Sequence, residues 1–338
     1  MRREFDYTYP SNEPNEWDGG ENVTTIPAVL KKTRDFALIK RLVKDFKKNK
    51  LIYLMALPCI LYFVIYHYWP MYGATIAFKE FSPRLGILDS PWVGIKYFKS
   101  FFESIYFVRI LKNTLILNFL NIIFGFPAPI LFALLMNELS GNRFKRTVQT
   151  VTYLPHFIST VIICGMLIDF SSKSGLFNNI ITLFGGQASS LLLNPSYFRP
   201  IYIGSGIWQE VGWGSIIYLS ALTSIDEELY SAAHIDGAGR FKQLIHITLP
   251  GILPTIIIML ILRMGSIMNV GFEKVMLLYN PATYEVADVI STFVYRKGIE
   301  EANYSYSAAV GLFNSVVNFL MIITANYISR KTNESSLW

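Results

Sequence analysis

The stretch "SIDEELYSAAHIDGAGRFKQLIHITLPGI", from Ser224 to Ile252, lies between two long apolar segments and is the most informative part of the sequence. Ser224 followed three residues later by Glu227 is a capping-box pattern, which predicts that a helix begins at Ser224. Gly237 can adopt a positive φ, so it is predicted to end this helix and turn the chain. A second helix is predicted to follow, and Pro250 marks the start of the next apolar segment. On this pattern alone, an ordinary loop on a membrane surface fits as well as a protruding helical knob.

The composition of the chain identifies its broad class. The 338 residues are 52% hydrophobic and 16% charged, with a mean hydropathy of +0.36. Soluble domains carry about 25% charged residues, and several apolar segments here approach the roughly 20 residues that cross a bilayer. We therefore predict an all-α polytopic membrane protein. The net charge of +6 comes from basic residues beside the apolar segments, so it does not indicate nucleic-acid binding.

Six apolar segments are predicted to be transmembrane helices. Their approximate bounds are 51–72, 113–139, 148–170, 201–222, 252–270 and 307–328. Prolines inside these segments, such as Pro155, predict kinks that neighbouring helices can tolerate. The domain prediction is a polar tail and basic amphipathic helix over residues 1–50, a transmembrane domain over 51–328 containing the loop 224–250, and a tail over 329–338.

The distribution of lysine and arginine predicts the orientation of the chain. Residues 31–50, just before the first span, are rich in both, and Phe36, Ile39 and Val43 recur there at helical spacing. Cytoplasmic loops carry an excess of basic residues. Both termini and the loop 224–250 are therefore predicted to be cytoplasmic. On the opposite side, aromatic residues in 94–111 predict an interfacial helix with membrane anchors.

The sequence offers little for catalysis or metal binding. Cys59 and Cys164 lie in different apolar segments, where buried thiols that pack as small hydrophobes are expected. The four histidines form no metal-binding array, and no phosphate-binding G-x-x-x-x-G-K-[ST] motif occurs. We expect no catalytic residue, no metal ligand and no cofactor bound by this chain.

The segment "ELYSAAHIDGAGRFKQLIHITLP" resembles the EAA motif of permease subunits in binding-protein-dependent ABC importers. That motif reads E-x-x-x-A-A-x-x-D-G-A, followed after a spacer by I-x-L-P. It also lies between the fourth and fifth predicted spans, as in the family. One departure is Leu244, where an aromatic residue is common; Phe241 lies three residues earlier. The matching positions are Glu228, Ala232, Ala233, Asp236, Gly237, Ala238, Ile247, Leu249 and Pro250.

Other segments resemble the carbohydrate-uptake class, and most of all the LplB-like polysaccharide permeases, to which one subunit of alginate importers is similar. They include "YLPHFIST", "FALLMNEL", "GFEKVMLLYNPATYEVADVISTFVYRKG" and "ESSLW". The resemblance implies the six-helix type I importer permease (MetI-like) fold in the bacterial plasma (inner) membrane. It implies ATP-driven uptake of oligosaccharides or polysaccharides by alternating access, with the loop 224–250 as coupling helix. The chain would not itself be an enzyme.

The resemblance also implies a set of partners. These are a second permease subunit forming a heterodimer, two cytosolic ATPase subunits, an extracytoplasmic solute-binding protein, the saccharide substrate and membrane lipid. ATP and Mg²⁺ would be bound by the ATPase subunits, which fits the absence of a phosphate-binding motif in this sequence.

Polar residues inside the spans are candidates for the substrate path, because such residues usually face a bundle interior or a water-filled cavity. Amide groups and aromatic faces suit a saccharide, although amides also join helices to one another. Glu210 and Arg263 lie near the middles of two spans, so they are predicted to pair with each other or to line the cavity. The candidates are Asn118, Asn121, Trp208, Gln209, Glu210, Trp213, Arg263, Asn314 and Asn318.

Two other classes of function compete with an ABC permease. An ion-coupled secondary sugar transporter would usually contain inverted repeats with broken helices, and no such symmetry is evident in the sequence. A membrane enzyme such as a glycosyltransferase would need convergent carboxylates or a metal site at one membrane face. Sugar uptake that requires an added ATPase would distinguish an ABC permease from both alternatives.

Overall fold

A computed structural model describes residues 44–45, 48–139 and 141–333. The described residues form helices and turns, with two isolated β-bridges and no β-strand, which confirms the predicted all-α class. Most of the predicted basic helix over 31–50 lies outside the described residues. The chain divides into two compact units, residues 1–70 and 71–338.

The first unit contains α1 (Lys50–Phe63), followed by a π-helical turn at Val64–Tyr68. Pro58 lies inside α1 without interrupting it. In the second unit, the chain begins with a 3₁₀ segment at Tyr72–Phe78. Its α-helices are α2 (Gly86–Asp89), α3 (Lys96–Phe102), α4 (Phe107–Leu120), α5 (Pro127–Glu138), α6 (Asn142–Tyr153), α7 (Thr160–Ser171), α8 (Leu176–Leu183), α9 (Pro195–Leu222), α10 (Glu227–Ile235), α11 (Arg240–Gln243), α12 (Leu249–Met264), α13 (Phe272–Leu278), α14 (Tyr284–Ala287), α15 (Ile290–Tyr295) and α16 (Tyr304–Asn333).

Five helical segments of the described chain are long and apolar enough to cross a membrane. They are Lys50–Phe78, Phe107–Glu138, Thr160–Leu183, Arg240–Met264 and Tyr304–Lys331. Helix α9 is also long enough, at 28 residues, and it carries the predicted fourth span. The multi-pass membrane architecture is thus confirmed, and the count of six spans stays a prediction.

The predicted third span, 148–170, is interrupted in the structure. Helix α6 ends at Tyr153, a 3₁₀ turn covers Leu154–Phe157, and Ile158 has an extended backbone before α7 begins. Pro155 lies in this turn and has no backbone N–H, so it cannot continue the α-helical hydrogen bonds. The predicted kink is therefore a complete break, and the membrane-length segment begins at Thr160.

The second unit is built around three buried apolar clusters. One joins α4, α7, α9 and α13 through residues such as Phe198 and Val275. Another contains Phe101, which is fully buried and packs against the rings of Tyr306 and Phe313 at centroid distances of 6.3 and 5.5 Å. The sequence predicted aromatic membrane anchors in 94–111, but Phe101 faces the core because α3 packs on α16.

The segment between α12 and α16 is fixed by a buried carboxylate. Asp288 is fully buried and accepts hydrogen bonds from Arg296 at 2.7 Å and Arg109 at 3.4 Å. The Asn113 amide of α4 donates to the Asp288 carbonyl at 3.1 Å. Buried charges are stable only when paired and hydrogen-bonded. This network therefore holds the part of the segment around Asp288 against α4.

Candidate coupling loop and substrate cavity

The helix after α9 begins two residues later than its capping box predicts. Asp226 is the N-cap of α10, and its Oδ1 accepts a hydrogen bond from the Glu228 N–H at 2.9 Å. The Ser224 hydroxyl instead donates to the Ala221 carbonyl at the end of α9, at 2.7 Å. The predicted cap at Ser224 is wrong, because the nearer Asp226 carboxylate satisfies the free N–H groups of the first turn.

The turn at Gly237 is confirmed. Gly237 has a φ of +75°, and it ends α10 in a Schellman motif. The Ala238 N–H donates to the Ala233 carbonyl at 2.8 Å, and the Gly237 N–H donates to the His234 carbonyl at 3.1 Å. A Cβ at Gly237 would meet nothing within 4 Å, so the requirement for glycine comes from its backbone conformation alone.

The predicted second helix does not stop before the next span. Helix α11 continues through a π-helical turn, Leu244–Thr248, directly into α12, so Arg240–Met264 is one helical segment. Pro250 therefore lies in the first turn of α12 and does not begin the helix. The wide turn accommodates the missing proline N–H, so the chain need not break there.

The loop carries exposed apolar side chains although it is hydrogen-bonded to the bundle. Leu229, Ile235 and Phe241 are 53%, 85% and 72% exposed, respectively. Tyr230 and the buried Thr248 are joined through their hydroxyl groups at 3.0 Å. Three large apolar side chains exposed along one loop make this loop a candidate interaction site. Among the motif residues, Glu228, Ala232, Asp236, Gly237 and Pro250 are exposed, and Ala233, Ala238, Ile247 and Leu249 are half-buried.

A cavity of about 570 Å³ lies between the π-helical turn Asn121–Gly125, which follows α4, and helices α5, α9, α12 and α13. Its volume falls in the roughly 300–1,000 Å³ range of small-molecule sites. Four predicted path residues line it, namely Asn121, Gln209, Glu210 and Arg263. The five other candidates lie outside this cavity, and their part in a substrate path stays a prediction.

Three of those five are held by side-chain hydrogen bonds, one within its own helix and two between segments. Asn118 is buried and donates to the Thr114 carbonyl one turn earlier, at 3.0 Å. Asn314 donates to the side-chain oxygen of Asn269 at 3.0 Å, and Asn318 accepts from the Met268 N–H at 2.9 Å. The Asn314 and Asn318 contacts fix the chain just beyond α12 against α16, as expected of amides that join membrane helices.

The two tryptophan candidates face different surroundings. Trp208 lines a second, almost wholly apolar cavity of about 470 Å³ between α7, α8 and α9. Trp213 stacks on His156, with ring centroids 4.5 Å apart and planes 2° from parallel. Trp208 and Trp213 are five residues apart on α9, about 140° around the helix axis, so they face different sides of it.

The predicted Glu210–Arg263 ion pair is not formed. The Glu210 carboxylate lies 2.9 Å from the His156 Nδ1. His156 reaches it because the break at Leu154–Phe157 brings this residue beside α9. The Arg263 guanidinium forms no ion pair with any described residue, although it lines the same cavity as Glu210. The alternative prediction, that both residues line a cavity, fits the structure.

Lys274, on α13, is a cavity residue that the sequence interpretation missed. Its side chain is buried, its Nζ donates to the Tyr202 carbonyl at 3.2 Å, and it lies 5.1 Å from the centre of the Tyr202 ring. Helix α13 lies outside the candidate spans, and burial lowers the pKa of Lys274 to about 8. In the sequence, Lys274 lies in a segment predicted to be a loop, and nothing in the pattern indicated that its side chain reaches the cavity.

Membrane-length helices around a cavity lined by charged side chains are typical of a membrane transport subunit. The chain belongs to the family of binding-protein-dependent transport system inner membrane components, whose family model matches residues 125–334. This assignment confirms the predicted permease family and fold. It also makes the chain a transport subunit and not an enzyme.

Two curated proteins of Bacillus subtilis (strain 168) are similar over most of their length. Protein LplB is 47% identical over 293 residues, which cover 86% of this chain and 92% of LplB. The polygalacturonan/rhamnogalacturonan transport system permease protein YteP is 45% identical over 300 residues, covering 88% of this chain and 94% of YteP.

Two crystal structures share the fold. One is of a bacterial ABC transporter involved in the import of the acidic polysaccharide alginate, with a TM-score of 0.81 and 46% identity over 87% of this chain and 99% of the matched chain. The other shows a bacterial alginate ABC transporter with an alginate pentasaccharide-bound periplasmic protein. Its TM-score is 0.82, with 45% identity over 88% of this chain and all of the matched chain.

Proposed function

We propose that this chain is a permease subunit of an ATP-driven ABC importer that takes up oligosaccharides or polysaccharides. The relatives support a saccharide substrate, since YteP is named for polygalacturonan and rhamnogalacturonan transport and both matched structures are of alginate transporters. The observation that carries the proposal is the loop 224–250. It joins a Schellman turn, an exposed apolar surface and a rigid connection to α12 in one element.

The loop acts as the coupling element in this proposal. Leu229, Ile235 and Phe241 are exposed on it, and their burial against a cytosolic ATPase subunit would remove apolar surface from water. The small Ala232 beside them allows close approach of another backbone. ATP and Mg²⁺ are held by two such ATPase subunits, and movement of the bound loop drives alternating access.

The cavity provides the passage for the sugar. The amides of Asn121 and Gln209 can exchange hydrogen bonds with hydroxyl groups, and the rings of Phe126 and Tyr202 offer apolar surfaces. The substrate arrives on an extracytoplasmic solute-binding protein, and a second permease subunit completes the path as a heterodimer in the bacterial plasma membrane.

The proposed orientation places the loop and both termini in the cytoplasm. It is tested with Lys242→Cys, since Lys242 is exposed on α11, in a background in which Cys59 and Cys164 are replaced. The new thiol should resist an impermeant reagent in whole cells and react in inverted vesicles. Labelling from outside the cell would reverse the topology and exclude this loop from any cytosolic contact.

The function is tested by reconstituting this chain with its second permease, ATPase and binding protein in liposomes. Uptake of a labelled oligosaccharide should require ATP and all four components. Omission of the ATPase is the matched control, and an ionophore that collapses ion gradients should leave uptake unchanged. Uptake that persists without the ATPase but stops with the ionophore would identify a secondary transporter instead.

A further inference from the structure

The cavity contains two cations whose charges are not neutralised by an ion pair. Arg263 and Lys274 both line it, and neither forms a salt bridge with any described residue. Glu210 is the acidic residue of the cavity lining, and its carboxylate is bound to His156. The cavity therefore carries more positive than negative charge before any substrate enters.

Both cations are placed where an unneutralised charge is costly. Lys274 is only 8% exposed. Its ammonium has one hydrogen-bond acceptor among the described residues, the Tyr202 carbonyl. Arg263 is half-buried in the last turn of α12, at the end of a candidate membrane span and not near its middle as predicted, and it makes no side-chain hydrogen bond within the described chain. Charges inside a membrane protein are normally paired, or they serve an ion or substrate pathway.

The two groups suit a carboxylate in complementary ways. A guanidinium presents a planar fork of N–H donors that fits a carboxylate with two hydrogen bonds, whereas an ammonium acts as a compact point charge with three donors. Space is left beside Lys274, since a Cβ at Gly206 would come within 3.5 Å of its Nζ. Gly206 is thus the position at which a side chain would cover the ammonium.

We propose that Arg263 and Lys274 form a carboxylate-binding subsite, so that the cavity prefers saccharides built from uronic acids over neutral ones. This inference rests on the proposed function, and it assigns the recognition of charge to two residues of this chain. The amides of Asn121 and Gln209 take the hydroxyl groups of the same sugar residue. Glu210, held by His156, lowers the affinity for the anion enough for it to leave again.

The test compares a charged sugar with its uncharged counterpart. Trigalacturonate and the neutral trisaccharide obtained by reducing its carboxyl groups are titrated against the full-length chain in nanodiscs, without ATP. Trigalacturonate should bind at least tenfold more tightly, the equivalent of about 1.4 kcal/mol. Arg263→Gln and Lys274→Gln should each reduce this preference about threefold, whereas Lys274→Arg should retain most of it.

Two controls separate recognition from folding. Lys173→Gln makes the same change at an exposed lysine outside the cavity and should leave both affinities unchanged. Lys274 also ties α13 to α9 through Tyr202, so Arg263→Gln, which removes no side-chain hydrogen bond within the described residues, is the decisive variant.

Equal affinities of the wild-type chain for both sugars would overturn the subsite. An Arg263→Gln variant that binds both sugars more weakly, and to the same extent, would also overturn it. A loss of charge recognition should weaken the binding of the anionic sugar alone. ATP-driven uptake of both sugars is measured separately on the complete importer. Failure of uptake with a normal binding preference would count against the proposed function and leave the subsite standing.

Discussion

Tyr230 of α10 and Thr248 of the π-helical turn join their hydroxyl groups at 3.0 Å, across the bend that separates the loop from the membrane bundle. Thr248 is only 4% exposed, whereas α10 has no buried residue. A second contact supports the same connection, since the Ile225 side chain lies against Gly251 and a Cβ there would come within 2.7 Å of it. The exposed helix is therefore tied to the first turns of α12.

Removal of the hydroxyl in Tyr230→Phe should loosen this connection. The loss of one neutral hydrogen bond costs about 0.5–1.5 kcal/mol, which is too little to unfold the bundle. We expect ATP hydrolysis to continue while less sugar is transported per ATP, and both rates are measured on the reconstituted importer. Tyr197→Phe, at an exposed position on α9, is the control. An unchanged ratio of transport to hydrolysis would show that the contact does not take part in coupling.

Gly237→Val should impair coupling through the backbone alone. The site is open, but its φ of +75° disfavours a residue with a Cβ by about 1 kcal/mol or more, and a β-branched residue further. The variant should reach the membrane, bind the ATPase poorly and lose transport. Gly239→Val is matched, because Gly239 is equally open and has a φ of −69°. Normal transport with fully bound ATPase in Gly237→Val would refute the role of this turn.

Glu210→Gln should strengthen the binding of a uronate sugar. The change removes the negative charge of the cavity lining while keeping a side chain of similar size. We expect trigalacturonate to bind roughly two- to tenfold more tightly, up to about 1.4 kcal/mol, and the neutral trisaccharide to bind as before. Both are measured by titration in nanodiscs. Weaker binding of trigalacturonate would mean that Glu210 contacts the sugar directly.

Binding of the uronate sugar should also weaken as the pH rises through about 8. The lowered pKa of Lys274, caused by its burial, means that its positive charge is present below this pH and is lost above it. The titratable groups near Lys274 are Glu210, Cys164 and Tyr202. Titrations between pH 6.5 and 9 check this. Lys274→Arg should give a flat profile, and a wild-type profile just as flat would exclude a titrating lysine.

Features that depend on a few neighbouring residues were predictable from the sequence. The turn at Gly237 was found because only glycine readily adopts its φ, and the break at Pro155 follows from the missing N–H. The predicted start of α10 was wrong although it also depends on neighbouring residues. Ser224 and Asp226 can both cap a helix, and the sequence alone did not show which N–H groups were free.

The composition of the cavity was less predictable, because it depends on how distant segments pack. The sequence placed Glu210 and Arg263 inside spans but could not show that His156, more than fifty residues away, would bind the carboxylate. Lys274 lies in a segment without membrane-length hydropathy. Its position follows from the packing of α13 against α7, which leaves no trace in periodicity or composition.

The unbroken helical segment Arg240–Met264 has a mechanical consequence. At about 1.5 Å per residue, Arg240 in the loop and Arg263 in the cavity are about 35 Å apart along one continuous helical segment. A tilt of about 5° at one end displaces the other by about 3 Å, the length of a hydrogen bond. In the proposed importer, a tilt of this size at the loop would be enough to form or break a hydrogen bond between Arg263 and a bound sugar.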